Sequence, residues 1–401
     1  MQKPEFLNRR TPPTLATLIL VAGGSALATN IFLPSLPGMA VDFGVDYSVM
    51  QLAVSVYLLM NAVLQTIIGP LADRFGRRPI MLGGLGIFCV ATLGCILSPN
   101  AAVFLLFRML QATVAVAMVL TRAIVRDIHP QDRAAAMLGY VTMGMSVVPM
   151  ISPTIGGLLE EAFGWRANFW FLLVCGVAVL ALVWADQGET HAPSQNSLLR
   201  QFAEYPELLR SPRFWGYSLA SAFGAGAFFA YLGGAPFVGM QVFGLTPSQL
   251  GIYFAAPSVG YFFGNWFTGQ FSARIGANRM VLAGAIATIL GAAASWVISV
   301  TGHASALAFF GAMTAVGIGN GLTLPNATAG MLSVRPHLAG TASGLGGAMM
   351  LGGGAALSAL AGMLLVPGGS ERPLTLIMLC CGILSALSVL WVIRRQRQLG
   401  L

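Results

Sequence analysis

Twelve stretches of about 20 or more mostly apolar residues recur along the chain, each long enough to cross a bilayer as an α-helix. They fall at 14–36, 47–71, 79–98, 101–126, 134–158 and 165–187, then at 213–240, 247–271, 279–300, 303–331, 338–366 and 372–394. The runs are continuous, whereas a membrane β-barrel reads as short strands of alternating polarity. The expected fold class is an all-α integral membrane protein. Of the 401 residues, 56% are hydrophobic and 8% charged, against about 25% charged in soluble domains. The first run exceeds the roughly 7–15-residue core of a signal peptide, so it reads as a retained helix.

The formal net charge is +8, and the basic residues lie between the apolar runs rather than on one hydrophilic domain. This points to a lipid bilayer and away from nucleic acid as the partner. With the N-terminus inside, 17 of the 21 Lys and Arg residues occupy cytoplasmic segments. Arg166 and Arg372 fall outside, and Arg108 and Arg122 lie within the fourth run. That bias expects a multi-pass inner-membrane protein with both termini cytoplasmic. The five cysteines, Cys89, Cys95, Cys175, Cys380 and Cys381, all sit in apolar runs without metal-ligand spacing. No metal or other cofactor is expected, and the chain is read as a monomer.

The longest polar stretch, 188–212, divides the runs into two sets of six, giving an expected N-terminal bundle at 1–187, a cytoplasmic connection at 188–212 and a C-terminal bundle at 213–401. An internal repeat agrees with that division. GPLADRFGRRPIMLGG begins at Gly69 and GQFSARIGANRMVLAG at Gly269, so that Gly69, Arg74, Gly76, Leu82 and Gly84 recur 200 residues later. Each copy joins the second and third runs of its half.

Three motifs stand out. In Gly69–Met81, Gly76 permits a tight turn, Arg74, Arg77 and Arg78 hold the loop on the cytoplasmic side, and Asp73 stands where it meets an Arg or a helix N-terminus. The bland reading is a basic loop that only sets topology. In the fourth run, Arg108, Gln111 and Arg122 fall on one face of a regular helix. A charge inside the bilayer costs roughly 2.5–3.5 kcal/mol on insertion scales, so Arg108 is expected to face a cavity or a partner, the alternative being an interhelical anchor. Arg122 lies near the cytoplasmic end, where its side chain reaches water by snorkelling. In the fifth run Pro153 allows a bend, and Gly156 and Gly157 allow close helix contact, or else ordinary small-residue packing.

The first of these segments resembles a signature of the major facilitator superfamily, whose plan is two same-direction six-helix repeats about an axis along the membrane normal. The resemblance implies that Gly69, Asp73, Arg74, Gly76, Arg77 and Arg78 steady one of two alternating conformations. In the second copy Ala273 replaces the Asp and Ala277–Asn278 replaces the Arg pair. Arg108 and Gln111 resemble the family's fourth-helix motif, associated with ion coupling. Pro153, Gly156 and Gly157 resemble the antiporter signature of drug exporters, with Ser152 at a usual Gly. Together with Leu33-Pro34-Ser35-Leu36-Pro37, the whole chain resembles the Bcr/CflA drug-resistance transporters. In that family an Asp usually stands at the position of Asn30, and Asn cannot titrate.

The expected function is a secondary transporter that exports small amphipathic compounds, with protons as coupling ion. An uptake facilitator is the alternative. A membrane enzyme fits poorly, because titratable residues are scattered and loops short. No phosphate-binding G-x-x-x-x-G-K-[ST] loop occurs. Candidate cavity residues for a small-molecule substrate are Asn30, Tyr57, Asn61, Gln65, Arg108, Gln111, Arg122, Tyr140, Phe228, Asn265 and Asn320. None of the 13 acidic residues lies in the middle of a run. Coupling at Asp73 or Asp127, loss of proton coupling, or a substrate that itself carries the charge all remain open.

Overall fold

The structure is a computed structural model that describes residues 4–128, 131–190, 206–335 and 338–400. The connection expected at 188–212 lies largely outside the described residues. The described residues form helices without strands. In chain order the spanning segments are α1 (Leu15–Phe43), α2 (Tyr47–Phe75), α3 (Arg77–Ile96), α4 (Ala101–Ile128), α5 (Gln131–Phe163), α6 (Arg166–Asp186), α7 (Pro212–Val242), α8 (Ala255–Ile275), α9 (Ala277–Val300), α10 (Ala306–Ser333), α11 (Ala339–Leu364) and α12 (Arg372–Gln398). Among the described residues, ten are long and apolar enough to cross a membrane by length and composition. The two others are α5 and α8. The 33-residue α5 contains Pro149 and Pro153. The 21 residues of α8 are diluted by Ser258, Asn265, Gln270 and Ser272. At about 1.5 Å per residue, 21 residues still span the roughly 30 Å of hydrocarbon.

Local chemistry sets the breaks. The expected end of the first helix at residue 36 is instead an interruption. The chain is α-helical over Leu15–Asn30, passes through a 3-10 turn at Leu33–Ser35, and resumes as α-helix over Leu36–Phe43. Pro34 and Pro37 lack the N–H that the ladder needs, and each starts a new segment where that loss is harmless. Gly44, at φ 63°, then terminates α1. The α2–α3 and α8–α9 joints are single glycines, Gly76 at φ 98°, ψ 153° and Gly276 at φ 90°, ψ 144°. Backbone in this region is open almost only to glycine. The repeated glycine therefore fixes the same joint twice.

Packing follows the sequence order. Helix α1 packs on α4, α5 and α6, α3 on α4 and α6, and α2 on α4. Helix α7 packs on α10, α11 and α12, α9 on α10 and α12, and α8 on α10. Between the two sets, α2 meets α11, while α5 meets α8 and the short helix Pro247–Tyr253 that precedes it. Glycines let these helices approach. A methyl group on Gly260, Gly264 or Gly317 would collide with the backbone of the facing helix in the α8–α10 pair. Lipid tails are as apolar as leucine, so such close van der Waals contact supplies much of the association.

Candidate functional site

The α2–α3 joint is an electrostatic knot. The N–H of Gly76 closes α2 by donating to the carbonyl of Ala72 at 3.0 Å. One turn on, the buried Arg77 guanidinium contacts Asp73 at 2.6 Å and Asp127, near the end of α4, at 3.0 Å. One cation thus ties the ends of α2, α3 and α4. The backbone N–H groups of Arg77 and Arg78 both donate to the carboxylate of Glu189, beyond the end of α6, at 2.8 and 3.2 Å. Negative charge is favourable at a helix N-terminus, which exposes unpaired amides and a partial positive charge. Arg78 also donates to the carbonyl of Trp184 at 2.9 Å. Arg74 lies over the Phe75 ring, 5.3 Å from its centroid. Gly69 lies in the last turns of α2, and a methyl there would meet open space. Sequence reasoning placed Asp73 and the arginines but left Glu189 without a role; it lies 112 residues from Arg77.

Arg108 meets partners on three helices. Its side chain is enclosed, with 1% of the residue exposed. Its Nε donates to the Ala53 carbonyl at 3.2 Å, Nη1 to Gln111 Oε1 at 2.7 Å and Nη2 to the Ala28 carbonyl at 3.0 Å. The rings of Phe32 and Tyr57 flank it, with centroids 4.2 and 4.0 Å from Cζ. Ala28 is in the last turn of the first α1 segment, whose final carbonyls have no intrahelical partner. Arg108 thereby joins α4 to the α1 break and to α2. Gln111 passes the chain on, donating to Thr92 of α3 at 2.8 Å. No hydrogen bond between Arg108 and Asn30 occurs among the described residues. The Asn30 amide, 6% exposed, donates instead to the Ala26 carbonyl at 2.7 Å.

The shared helical face of Arg108 and Arg122 fails for a physical reason. A 3-10 turn at Ala112–Val114 separates them. Three residues at three per turn, rather than 3.6, rotate the rest of the helix by about 60°. Arg122 is accordingly exposed and lies near Tyr261 of α8, in the other set of helices. Of the remaining candidates, Tyr140 is 50% exposed, Gln65 and Phe228 are partly exposed, and Asn265 donates to the Tyr261 carbonyl at 2.8 Å. Tyr57, Asn61 and Asn320 are buried. Asn61 and Asn320 donate to carbonyls one turn back in their own helices. The candidates thus separate by burial into enclosed residues, Arg108 among them, and partly or fully exposed ones, Arg122 among them.

Pro153, Gly156 and Gly157 lie where α5 meets two neighbours. A methyl on Gly156 would overlap the Ile31 carbonyl at the α1 break, and one on Gly157 would overlap the Pro247 carbonyl across the interface. Close by, Thr154 donates to the Gly251 carbonyl at 3.0 Å, and the N–H and hydroxyl of Ser248 donate to Glu161 at 3.1 and 2.9 Å. Tyr47 donates to the Gly233 carbonyl at 2.6 Å, and Gln51 donates to Ser358 Oγ at 2.7 Å. All of these join α1–α6 to α7–α12 at the face opposite the α2–α3 joint.

The helical arrangement, the repeated glycine joints and the paired contacts α2–α11 and α5–α8 are those of a polytopic membrane protein, and its relatives make it a transporter rather than an enzyme. The chain is 32% identical over 344 residues to a chloramphenicol resistance protein of Pseudomonas aeruginosa, covering 84% of this chain and 82% of that protein. It is 30% identical over 402 residues to multidrug resistance protein D of Escherichia coli (strain K12), covering 98% and 99%. Its fold matches a solved peptide transporter with TM-score 0.77 at 13% identity, over 98% of this chain and 97% of that one. The family model described as Major Facilitator Superfamily matches residues 18–359, and the chain belongs to that superfamily.

Proposed function

We propose that the protein exports small amphipathic compounds across the bacterial inner membrane by alternating access, with the basic joints and both termini in the cytoplasm. The observation that carries this reading is its near-full-length similarity to resistance proteins of the same superfamily. In this reading residues 1–187 and 213–401 are the two moving halves and 188–212 connects them. The Arg77–Asp73–Asp127 knot steadies one conformation. Pro153, Gly156 and Gly157 seal the outer face.

The substrate lies between the halves, near Arg122, Tyr261 and Asn265. A permanent cation with no carboxylate in the middle of any helix favours neutral or anionic compounds, because a lipophilic cation gains nothing there and is repelled. Proton antiport is the proposed coupling, with Asp73 or Asp127 as carrier. The absence of a mid-span carboxylate supports the second reading, an uncoupled facilitator.

The test is flux in proteoliposomes for compounds drawn from a drug-susceptibility panel that includes chloramphenicol. Proton-driven uphill transport that reverses with the sign of an imposed pH gradient supports antiport. Flux that only dissipates a substrate gradient selects the facilitator. No flux of any panel compound that protects expressing cells would sink the export reading.

A further inference from the structure

The two copies of the repeat differ in how they balance the start of their third helix. In the first copy the chain supplies its own anion, Glu189, to the N-terminus of α3. The counterpart helix is α9, whose Ala277 and Asn278 stand 200 positions after Arg77 and Arg78, and α12 packs on α9 as α6 packs on α3. Helix α9 starts at Gly276 without a side-chain cap, and no carboxylate among the described residues bonds to its first amides. In the place of an acid there is a cavity of about 800 Å³ between the start of α9 and the end of α12.

Arg279, Arg394 and Arg397 line that cavity together with Leu282, Leu390 and Ile393. Asn278 is pinned by Tyr217, which donates to it at 2.7 Å, and by Gln396, so this wall is built rather than loose. Two other basic side chains at this face are paired. Arg335 meets Glu207 at 3.0 Å, and Arg395 donates to Gln398 at 3.1 Å. No ion pair or hydrogen bond to the guanidinium of Arg279, Arg394 or Arg397 occurs among the described residues. Three like charges around one cavity repel, and an anion between them removes that repulsion. Guanidinium forks match phosphate oxygens in geometry. Further along the same two helices, Leu290 and Val297 on α9 and Leu387 on α12 are exposed apolar residues. A free phosphate would leave that surface without use, whereas an acyl chain covers it.

We infer that this cavity binds the headgroup phosphate of an anionic phospholipid, which takes the place that Glu189 holds in the first half while its acyl chains lie along α9 and α12. The site does not depend on what the protein transports.

The experiment compares the purified full-length protein in vesicles of phosphatidylcholine with the same protein in phosphatidylcholine plus phosphatidylglycerol. The readouts are the thermal midpoint and the immobilised fraction of spin-labelled phosphatidylglycerol. The wild type is expected to unfold at a higher temperature with phosphatidylglycerol and to immobilise that label over its phosphatidylcholine analogue. Each of Arg279→Gln, Arg394→Gln and Arg397→Gln should weaken retention about fivefold. The triple variant should lose the preference while keeping the wild-type midpoint in phosphatidylcholine alone. Three results overturn the inference. One is a wild type indifferent to phosphatidylglycerol, and another is a triple variant that keeps the preference. The third is full reproduction of the stabilisation by inorganic phosphate in detergent, which would make the site one for a soluble anion.

Discussion

A guanidinium presents five N–H donors in a rigid plane, and Arg108 directs them to two carbonyls and an amide oxygen on three helices. Removing it leaves buried carbonyls at Ala28 and Ala53 without that donor, at about 1–3 kcal/mol for each group that finds no other partner. Arg108→Ala should therefore lower the thermal midpoint as well as flux, and Arg108→Lys should rescue little because an ammonium cannot span the fork. A variant with normal stability and no transport would instead return Arg108 to a substrate role. Arg122→Gln should behave in the opposite way, leaving the midpoint unchanged while reducing flux of anionic substrates more than neutral ones. Equal flux of both classes would remove Arg122 from recognition. Single-residue chemistry was only half legible in the sequence. An arginine deep in an apolar run announces a special position, but its direction depends on the 3-10 turn at Ala112–Val114, which no residue type there signals. Glu189 was illegible for another reason: its partners are fixed by how α6 ends beside α3, a long-range contact that sequence spacing does not carry.

At the scale of elements, the joints and close contacts are written in glycine and proline. The positive φ of Gly76 and Gly276 and the break between Asn30 and Leu36 follow from residue types alone, and the sequence placed the two glycine joints correctly. It also showed where twelve helices lie, even though α8 falls short on hydropathy. The first apolar run ends at residue 36, whereas the helix resumes over Leu36–Phe43, because Pro34 and Pro37 each start a new segment. Gly156 and Gly157 look alike in sequence and differ in partner. Gly156 faces Ile31 of α1, whereas Gly157 faces the backbone of Pro247 and Ser248. Gly156→Ala should therefore strain the packing of α1 on α5 and lower the midpoint, since overpacking costs about 1–3 kcal/mol. Gly157→Leu should spare the midpoint more and abolish flux, because it blocks a contact that must form in each cycle. Wild-type flux in a well-expressed Gly157→Leu variant would show that this contact is dispensable.

Across the whole molecule, bonds on the face opposite the α2–α3 joint hold α1–α6 against α7–α12, and in the proposed cycle they form the closed gate: Tyr47 to Gly233, Gln51 to Ser358, Thr154 to Gly251, and Ser248 to Glu161. A transporter cycles only if its two closed states differ by a few kcal/mol, so each such bond weighs on the balance. Gln51 matters most by burial, since it is enclosed and bonds to both the hydroxyl and the carbonyl of Ser358. A buried hydrogen bond contributes about 1 kcal/mol net, and about 1.4 kcal/mol shifts a two-state ratio tenfold. Gln51→Ala should therefore raise the population open at this face by roughly fivefold, and adding Glu161→Ala, an exposed site, by less than that again. Spin labels placed near the ends of α5 and α7 on this face would read the change as growth of a long-distance peak in pulsed dipolar spectra. The same variants should shift flux without altering the midpoint of unfolding, because the bonds exist in only one of the two states. A distance distribution identical to wild type in the double variant would mean that helix packing at the glycine contacts, and not these polar bonds, holds the gate shut.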